Sequence, residues 1–344
     1  MTHHALRLHL DSAALVANWR WLQRTAGVAA GAAVKADGYG LGARETMDAL
    51  FAAGCRDFYV SSWAEAAELG AVPDGAGLAV LHGVGPNDVE AALTSFARPV
   101  LSSVKQVERW KSVAPARPCD VMIDTGMNRL GLRPEEAGCV DGLGIDTLMS
   151  HLACADEDHP LNAAQLGRFR AIAAAVPARR YSLSNSAGIC LGRDYAFDLV
   201  RPGLALYGGV PRREAEGSIR QVAHVEAAIV QRRAIRAGES CGYGATFVAE
   251  NDTDAAILNI GYADGYLRGF SARGSVRAGE IALPVLGRVS MDLIAVGCDA
   301  APGLQEGDWV GIDYALPIAS AVSGLSQYEL LTVLGTRFDR RWVG

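Results

Sequence analysis

The run Val28-Ala29-Ala30-Gly31-Ala32-Ala33-Val34-Lys35-Ala36-Asp37-Gly38-Tyr39-Gly40 sets a lysine at the end of an apolar stretch, directly before a glycine-rich turn. A short apolar run without charge reads as a strand buried on both faces. A lysine ending such a strand can present its amine in a pocket. Desolvation there removes the proton and readies the amine for a Schiff base with an aldehyde. The plainer reading is a strand-end lysine that reaches water.

Outward from this strand the same pattern recurs. Apolar runs lie at Phe58–Ser61, Leu78–His82, Pro99–Ser102, Val121–Asp124, Thr147–His151, Tyr181–Ser184 and Leu199–Tyr207. Between most of them are alanine-rich segments with helical periodicity: Ala43–Ala53, Trp63–Leu69, Asn87–Phe96, Val104–Val113 and Leu161–Val176. Upstream, Asp11 or Ser12 can cap a helix carrying Leu15, Trp19 and Leu22, which Gly27 can end. Apolar strands alternating with helical crossovers predict a parallel sheet, and eight of them over about 200 residues predict an N-terminal (β/α)8 TIM-like barrel. An open doubly wound sheet is the alternative, weakened because no GxGxxG follows the first strand.

Near Val222 the pattern changes. Short strands split by glycine and proline follow, including Val225–Ile235, Ala255–Ile260, Ile281–Leu286, Ile294–Val296 and Trp309–Ile312, with a helix at Ser326–Leu334. The chain is therefore expected to be α/β plus β. Residues 1–222 form the barrel, and its first residues can join the second domain; residues 223–344 form a mainly β domain.

Composition agrees with a globular protein. The 344 residues are half hydrophobic and a fifth charged, ample for a core. A net charge of -6 without a basic cluster argues against nucleic acid and anionic membranes as partners. Met1 to Leu10 alternates polar and apolar residues, unlike a signal peptide, and no apolar run spans a bilayer. Cys55, Cys119, Cys139, Cys154, Cys190, Cys241 and Cys298 form no CxxC pair; seven scattered cysteines suit reduced thiols in the cytoplasm, and no metal site is expected. Trp19, Trp21, Trp63 and Trp110 read as helix packing.

In a (β/α)8 barrel, chemistry gathers at the C-terminal strand ends. Lys35 and Tyr39 follow the first strand, Asp124 to Arg129 the fifth, His151 ends the sixth, Ser184 to Ser186 follow the seventh, and Arg201 to Gly203 lie in the eighth. Each has a bland reading alone. Arg129 can pair with Asp124, His151 can be a satisfied core histidine, and Ser186 can cap a helix. Their convergence on one rim favours a site.

With these residues the chain resembles the alanine racemase family, the PLP-dependent racemases of fold type III. The matching stretches are Val34 to Gly40, Asp124-Thr125-Gly126-Met127-Asn128-Arg129, Ser150 to Asp156, Asn185-Ser186, Arg201-Pro202-Gly203, Gly242-Tyr243-Gly244, Gly261 to Gly265 and Ser290-Met291-Asp292. They run in family order over nearly the whole chain.

The resemblance implies that Lys35 carries pyridoxal 5'-phosphate as an internal aldimine. Tyr39, Ser186 and backbone amides near Gly203 and Leu204 would hold the phosphate. Arg201 would face the pyridine nitrogen; a guanidinium cannot accept a proton, so the ring would be a restrained electron sink. Lys35 would act on one face of the α-carbon and Tyr243, from the partner subunit's β domain, on the other. His151 and Arg201 would support that tyrosine. Arg129 and the Met291 amide would bind the substrate carboxylate. Tyr262, Asp292, Asp156, Arg268 and Arg288 would line the access channel. The implied enzyme is a homodimeric isomerase that interconverts L- and D-alanine, for peptidoglycan or for D-alanine catabolism.

Two positions depart from the family pattern. Met122 stands where many members carry a lysine, often carbamylated, that orients the arginine corresponding to Arg129. Thr336 aligns with a gate tyrosine, which leaves a serine or broader-specificity racemase as the alternative. A decarboxylase of the same fold type would need a Cys-Asp pair in the β domain, and none is visible. A PLP-homeostasis protein would resemble the barrel alone.

Overall fold

The computed structural model of the protein describes residues 4–344; Met1, Thr2 and His3, within the stretch read above as unlike a signal peptide, lie outside the described residues. Two compact units divide the chain: Leu15–Arg220, and the segment up to Ala14 together with Gln221–Gly344.

In the first unit, parallel strands Ala32–Ala33, Asp57–Val60, Gly77–Val80, Arg98–Leu101, Cys119–Met122, Ile145–Met149 and Arg180–Ser182 pair in chain order. The eighth strand, Leu199–Val200, runs parallel to Ala29–Ala30. Backbone bonds close the ring: Asp198 N donates to Tyr181 O (3.1 Å), Arg201 N to Ser184 O (2.8 Å), Gly31 N to Val200 O and Ala33 N to Pro202 O (both 2.9 Å). The (β/α)8 barrel is therefore present. Strands such as Asp57–Val60 and Cys119–Met122 are buried throughout, as expected of strands covered on both faces. Tyr59, Ala79, Val100, Met122, Met149 and Leu199 fill the centre.

The N-terminal ends of the strands carry charge instead. Arg180 grips Asp57 with both terminal nitrogens (2.9 and 2.6 Å) and reaches Asp146 (2.9 Å). Arg98 bridges Asp120 (3.2 Å) and Asp146 (3.3 Å). Desolvation offsets much of the attraction in such buried pairs, but removing one partner strands the other's charge and is costly.

The strands are shorter than the apolar runs suggested. Asp124, His151 and Ser184 each lie two residues beyond a strand that ends at Met122, Met149 or Ser182. Within the run Leu199–Tyr207 the regular strand is limited to Leu199–Val200; Pro202 has no N–H for a ladder, and Leu204–Tyr207 coils into a 3-10 turn. Among the connecting helices, Ser12–Ala26 is capped by Asp11, whose Oδ1 accepts Ala14 N at 2.8 Å. Trp19, Trp63 and Trp110 are buried, each indole donating to a backbone carbonyl.

The second unit is built around antiparallel strands. Thr253–Leu258, Ile294–Gly297, Ile281–Leu286, Ser275–Ala278, Trp309–Ile312 and Ala223–Ile235 neighbour one another in that order, and Thr253–Leu258 pairs back onto Ala223–Ile235. Leu6–Asp11 adds beside Ala223–Ile235, and Asp339–Val343 beside Leu6–Asp11. The strands at Leu6–Asp11, Ser275–Ala278 and Asp339–Val343 were not evident from apolar runs. Asp339–Val343 has no fully buried position, so hydrophobicity could not mark it. Helix Gln327–Thr332 is capped by Ser326 and Glu329 reciprocally. No helix among the described residues is long and apolar enough to cross a membrane.

Candidate active site

Lys35 stands two residues beyond the first strand, at the head of the short turn Lys35–Tyr39. That turn is left-handed: φ is +52° at Ala36, +50° at Asp37, +61° at Gly38 and +56° at Tyr39. Each such non-glycine residue costs about 1–2 kcal/mol, so the surroundings must hold it. The amine of Lys35 is pushed below the ordinary lysine range, first by burial and then by Arg129, with Glu65 opposing. A larger share is thus uncharged near neutrality than for an exposed lysine.

At the other end of the turn, Tyr39 stacks on Tyr207 with centroids 4.8 Å apart, and Tyr207 donates its hydroxyl to Ala33 O at 2.9 Å. Tyr39 also lies against Gly203, where a β-carbon would stand 2.1 Å from the Tyr39 hydroxyl oxygen. Only glycine admits this approach. Ser186 Oγ accepts Gly203 N (3.0 Å) and Ala205 N (3.2 Å), which leaves its own proton free to donate. Asn185, preceding it, caps the short helix Ser186–Cys190 through Gly188 N. Tyr39, the Ser186 hydroxyl and the start of Leu204–Tyr207 thus come together as neutral groups of the kind that hold a phosphate, with the Gly203 and Ala205 amides spent on orienting Ser186.

Arg201 is buried, with Nη2 on Ser150 O (2.6 Å) and Nη1 on Ser182 Oγ. Ser150 Oγ in turn meets Thr125 Oγ1 at 2.7 Å. Gln165 ties this layer together by donating to Thr125 Oγ1 (3.1 Å) and His151 O (2.9 Å). The imidazole of His151 is pushed down to about 3, by burial first and then by Arg201, Arg129 and Lys35. The two guanidinium groups of Arg201 and Arg129 thus act on the same buried imidazole. A site with this excess of positive charge suits an anionic ligand.

Arg129 sits on the exposed loop after the fifth barrel strand. It does not pair with Asp124, whose Oδ1 instead accepts Gly126 N (2.8 Å) and Met127 N (2.9 Å). The loop returns to its strand through Asp124 N to Leu132 O and Leu132 N to Met122 O. Met122 itself is buried among apolar side chains and supplies no anion. Asp156 is exposed on the loop after His151.

The remaining expected residues belong to the β unit. Tyr243 is 69% exposed and flanked by Gly242 and Gly244 at φ +78° and +73°. The two glycines serve this backbone, which a side chain would strain. Arg288 lies beside Gly244. Met291 is 53% exposed. Tyr262 N donates to Ser290 O and Ala263 N to Met291 O (both 3.0 Å), which knits the two loops together. Arg268 lies over the Tyr262 ring at 5.3 Å, and Thr336 is exposed.

Several supporting residues escaped the sequence reading. Arg337 grips the fully buried Asp264 with Nε (2.7 Å) and Nη2 (2.8 Å), and reaches Asp292 with Nη1 (2.7 Å). Gln165 and Tyr207 carried no local signal. Glu65 had one: Ser62-Trp63-Ala64-Glu65 has capping-box spacing.

The chain is similar to known proteins over nearly its whole length. Residues 10–211 match the family described as alanine racemase, N-terminal domain, and residues 222–342 its C-terminal domain. The alanine racemase of Dinoroseobacter shibae is 41% identical over 351 residues, spanning 98% of this chain and 98% of that protein. That of Methylobacterium nodulans is 39% identical over 357 residues, spanning 99% and 96%. The crystal structure of alanine racemase from Bartonella henselae with covalently bound pyridoxal phosphate superposes at TM-score 0.92 with 36% identity, covering 99% of this chain and all of that one. With both domains matched and whole-chain identity near 40%, the chain belongs to the alanine racemase family.

Proposed function

We propose that this chain interconverts L- and D-alanine with pyridoxal phosphate held on Lys35, using Lys35 and Tyr243 as the two proton-transferring groups. The observation that carries the cofactor assignment is the Tyr39–Gly203–Ser186 cradle on the rim that bears Lys35. When bound, pyridoxal phosphate supplies an electron sink that makes the α-hydrogen of the amino acid removable.

The rest falls to the protein. Lys35 Nζ, its proton affinity lowered by burial and Arg129, takes or returns a proton on one face of the α-carbon. The Tyr243 hydroxyl does so on the other, from the β domain of a second copy; its high exposure in a single chain supports this. Arg201 is always protonated and committed to Ser150 and Ser182, so it offers the ring nitrogen a donor and never a base. His151, kept neutral, and Arg201 back up the tyrosine. Arg129, with no acid paired to it among the described residues, and the Met291 amide receive the substrate carboxylate. Tyr262, Arg268, Arg288, Asp292 and Asp156 line the approach. We assign the enzyme to the cytoplasm as a homodimer; its seven free thiols suit a reducing compartment.

The test is D-alanine formation from L-alanine by purified, cofactor-loaded protein, with L-serine in parallel. D-alanine forming faster than D-serine supports the assignment. D-serine forming faster moves it to serine, and no product from either overturns it.

A further inference from the structure

The backbone after Lys35 is a concentration of strain. Of the seven non-glycine residues with positive φ among the described residues, Ala36, Asp37 and Tyr39 lie within four positions of Lys35. Such a turn persists only where its neighbours over-determine it. Its far end is held by Asp37, whose Oδ1 accepts Ala43 N at 2.9 Å and whose carbonyl accepts Gly42 N at 2.8 Å.

Its near end is held by Glu65. One oxygen of this carboxylate accepts Ala36 N at 3.1 Å, and the other accepts Ser61 N at 2.7 Å. Ser61 directly follows the strand Asp57–Val60, which pairs with the first strand and whose Tyr59 O accepts Val34 N at 2.9 Å. Residues 34 and 36, on either side of Lys35, are therefore both fastened to the neighbouring strand. The helix Trp63–Leu69 sets the carboxylate in place, with Glu65 N bound by the capping Ser62 Oγ at 3.3 Å. Charge-assisted bonds from two backbone donors are stronger than neutral ones and remain where backbone strain would otherwise relax.

We infer that Glu65 is a positioning residue for Lys35: its carboxylate pins the left-handed turn to the second barrel strand and so fixes the direction of the lysine side chain. It takes no part in proton transfer. The inference rests on the reading of Lys35 as the cofactor-bearing residue. A glutamine can reproduce only one of the two bonds, because its NH2 would face a second N–H donor.

The experiment uses full-length Glu65→Ala and Glu65→Gln, freed of cofactor and mixed with pyridoxal phosphate. Covalent attachment at Lys35 is followed by the visible band and by the mass gained after borohydride reduction. Visible circular dichroism per unit absorbance reports the orientation of the attached chromophore. Glu65→Ala should attach pyridoxal phosphate at least tenfold more slowly, with its dichroic band at least halved and kcat lowered more than KM is changed. Glu65→Gln should fall between it and wild type. Wild-type rate and dichroism in both variants would overturn the proposal. So would lowered thermal stability with unchanged dichroism, the signature of a merely structural tie. If the alanine variant does not fold, the glutamine variant carries the test. If the wild-type protein itself attaches no pyridoxal phosphate at Lys35, the cofactor reading fails; attachment in wild type with both variants matching it sinks only the role of Glu65.

Discussion

A β-carbon at residue 203 would stand 2.1 Å from the Tyr39 hydroxyl oxygen, so the glycine there is what lets Tyr39 lie where it does. Gly203→Ala should displace Tyr39 from its stack on Tyr207, cost about 1–3 kcal/mol of stability as overpacking does, and weaken pyridoxal phosphate binding at least tenfold. A cofactor titration of the purified variant followed by absorbance checks this. Undiminished affinity would remove Tyr39 and Gly203 from the phosphate cradle.

Tyr243→Phe should lower racemisation about 10²–10⁴-fold, the usual range for a lost acid/base group, while keeping bound cofactor. If the site is shared between copies, a Lys35→Ala chain mixed with a Tyr243→Phe chain restores one intact site in each mixed dimer. Random mixing then gives about a quarter of wild-type activity. Two inactive variants that stay inactive after mixing and re-association would contradict the shared site.

His151 should stay neutral well below the ordinary histidine range, since burial and the charges of Arg201, Arg129 and Lys35 push it down to about 3. Its folded value is depressed, so the unfolded chain binds the proton first. Its contribution to stability is full above about pH 6.5 and is lost as pH falls toward 3. Imidazole resonances assigned with a His151→Gln control should show no titration of His151 between pH 8 and 5. A midpoint near 6.5 would refute the neutral assignment.

At the other end of the barrel, burial pushes Asp120 up to about 6, against the pull of Arg98. Its folded value lies above the ordinary carboxylate range, so stability falls as pH rises from about 4 to about 6. Asp146 behaves oppositely: although burial opposes it, Arg179, Arg98 and Arg180 hold it down to about 2, so its contribution is lost only as pH falls below about 4. Asp120→Asn should therefore gain stability relative to wild type as pH rises from 4 to 6. Urea unfolding at several pH values measures this, and a pH-independent difference between the two proteins would contradict it.

Arg337→Ala leaves Asp264 buried without its bidentate partner, which should cost about 1–3 kcal/mol, and releases Asp292. KM for alanine should rise with the loss of order in the Met291–Asp292 turn. Lysine at this position should recover less than half of the stability, because it cannot span both oxygens in parallel. Chemical denaturation together with KM would decide; unchanged values in Arg337→Ala would show the clamp to be idle.

Much of this architecture could be read from local pattern. The alternation of buried runs with alanine-rich helices announced the barrel because crossover strands are apolar on both faces. A change of period near Val222 suggested a second domain. Strand ends were overestimated: Asp124, His151 and Ser184 lie two residues beyond strands that end at Met122, Met149 and Ser182. The left-handed turn was not foreseeable beyond Gly38 and Gly40: nothing about Ala36 or Tyr39 favours positive φ, and the reason lies in Glu65, 29 positions away from Ala36.

The sequence by itself determined which chemistry is available and its order along the chain: Lys35 after its strand, Tyr39, Arg129, His151, Ser186 and Arg201 near successive strand ends, and Tyr243 between two glycines. These follow from short-range periodicity and backbone preference. Only the tertiary structure decided how those groups are held and charged. Arg180 meets Asp57 across 123 positions and Arg337 meets Asp264 across 73. Chain closure brings such partners together at separations that local spacing does not encode, and burial then sets the protonation of Lys35, His151 and Asp120, because desolvation depends on everything packed around a group.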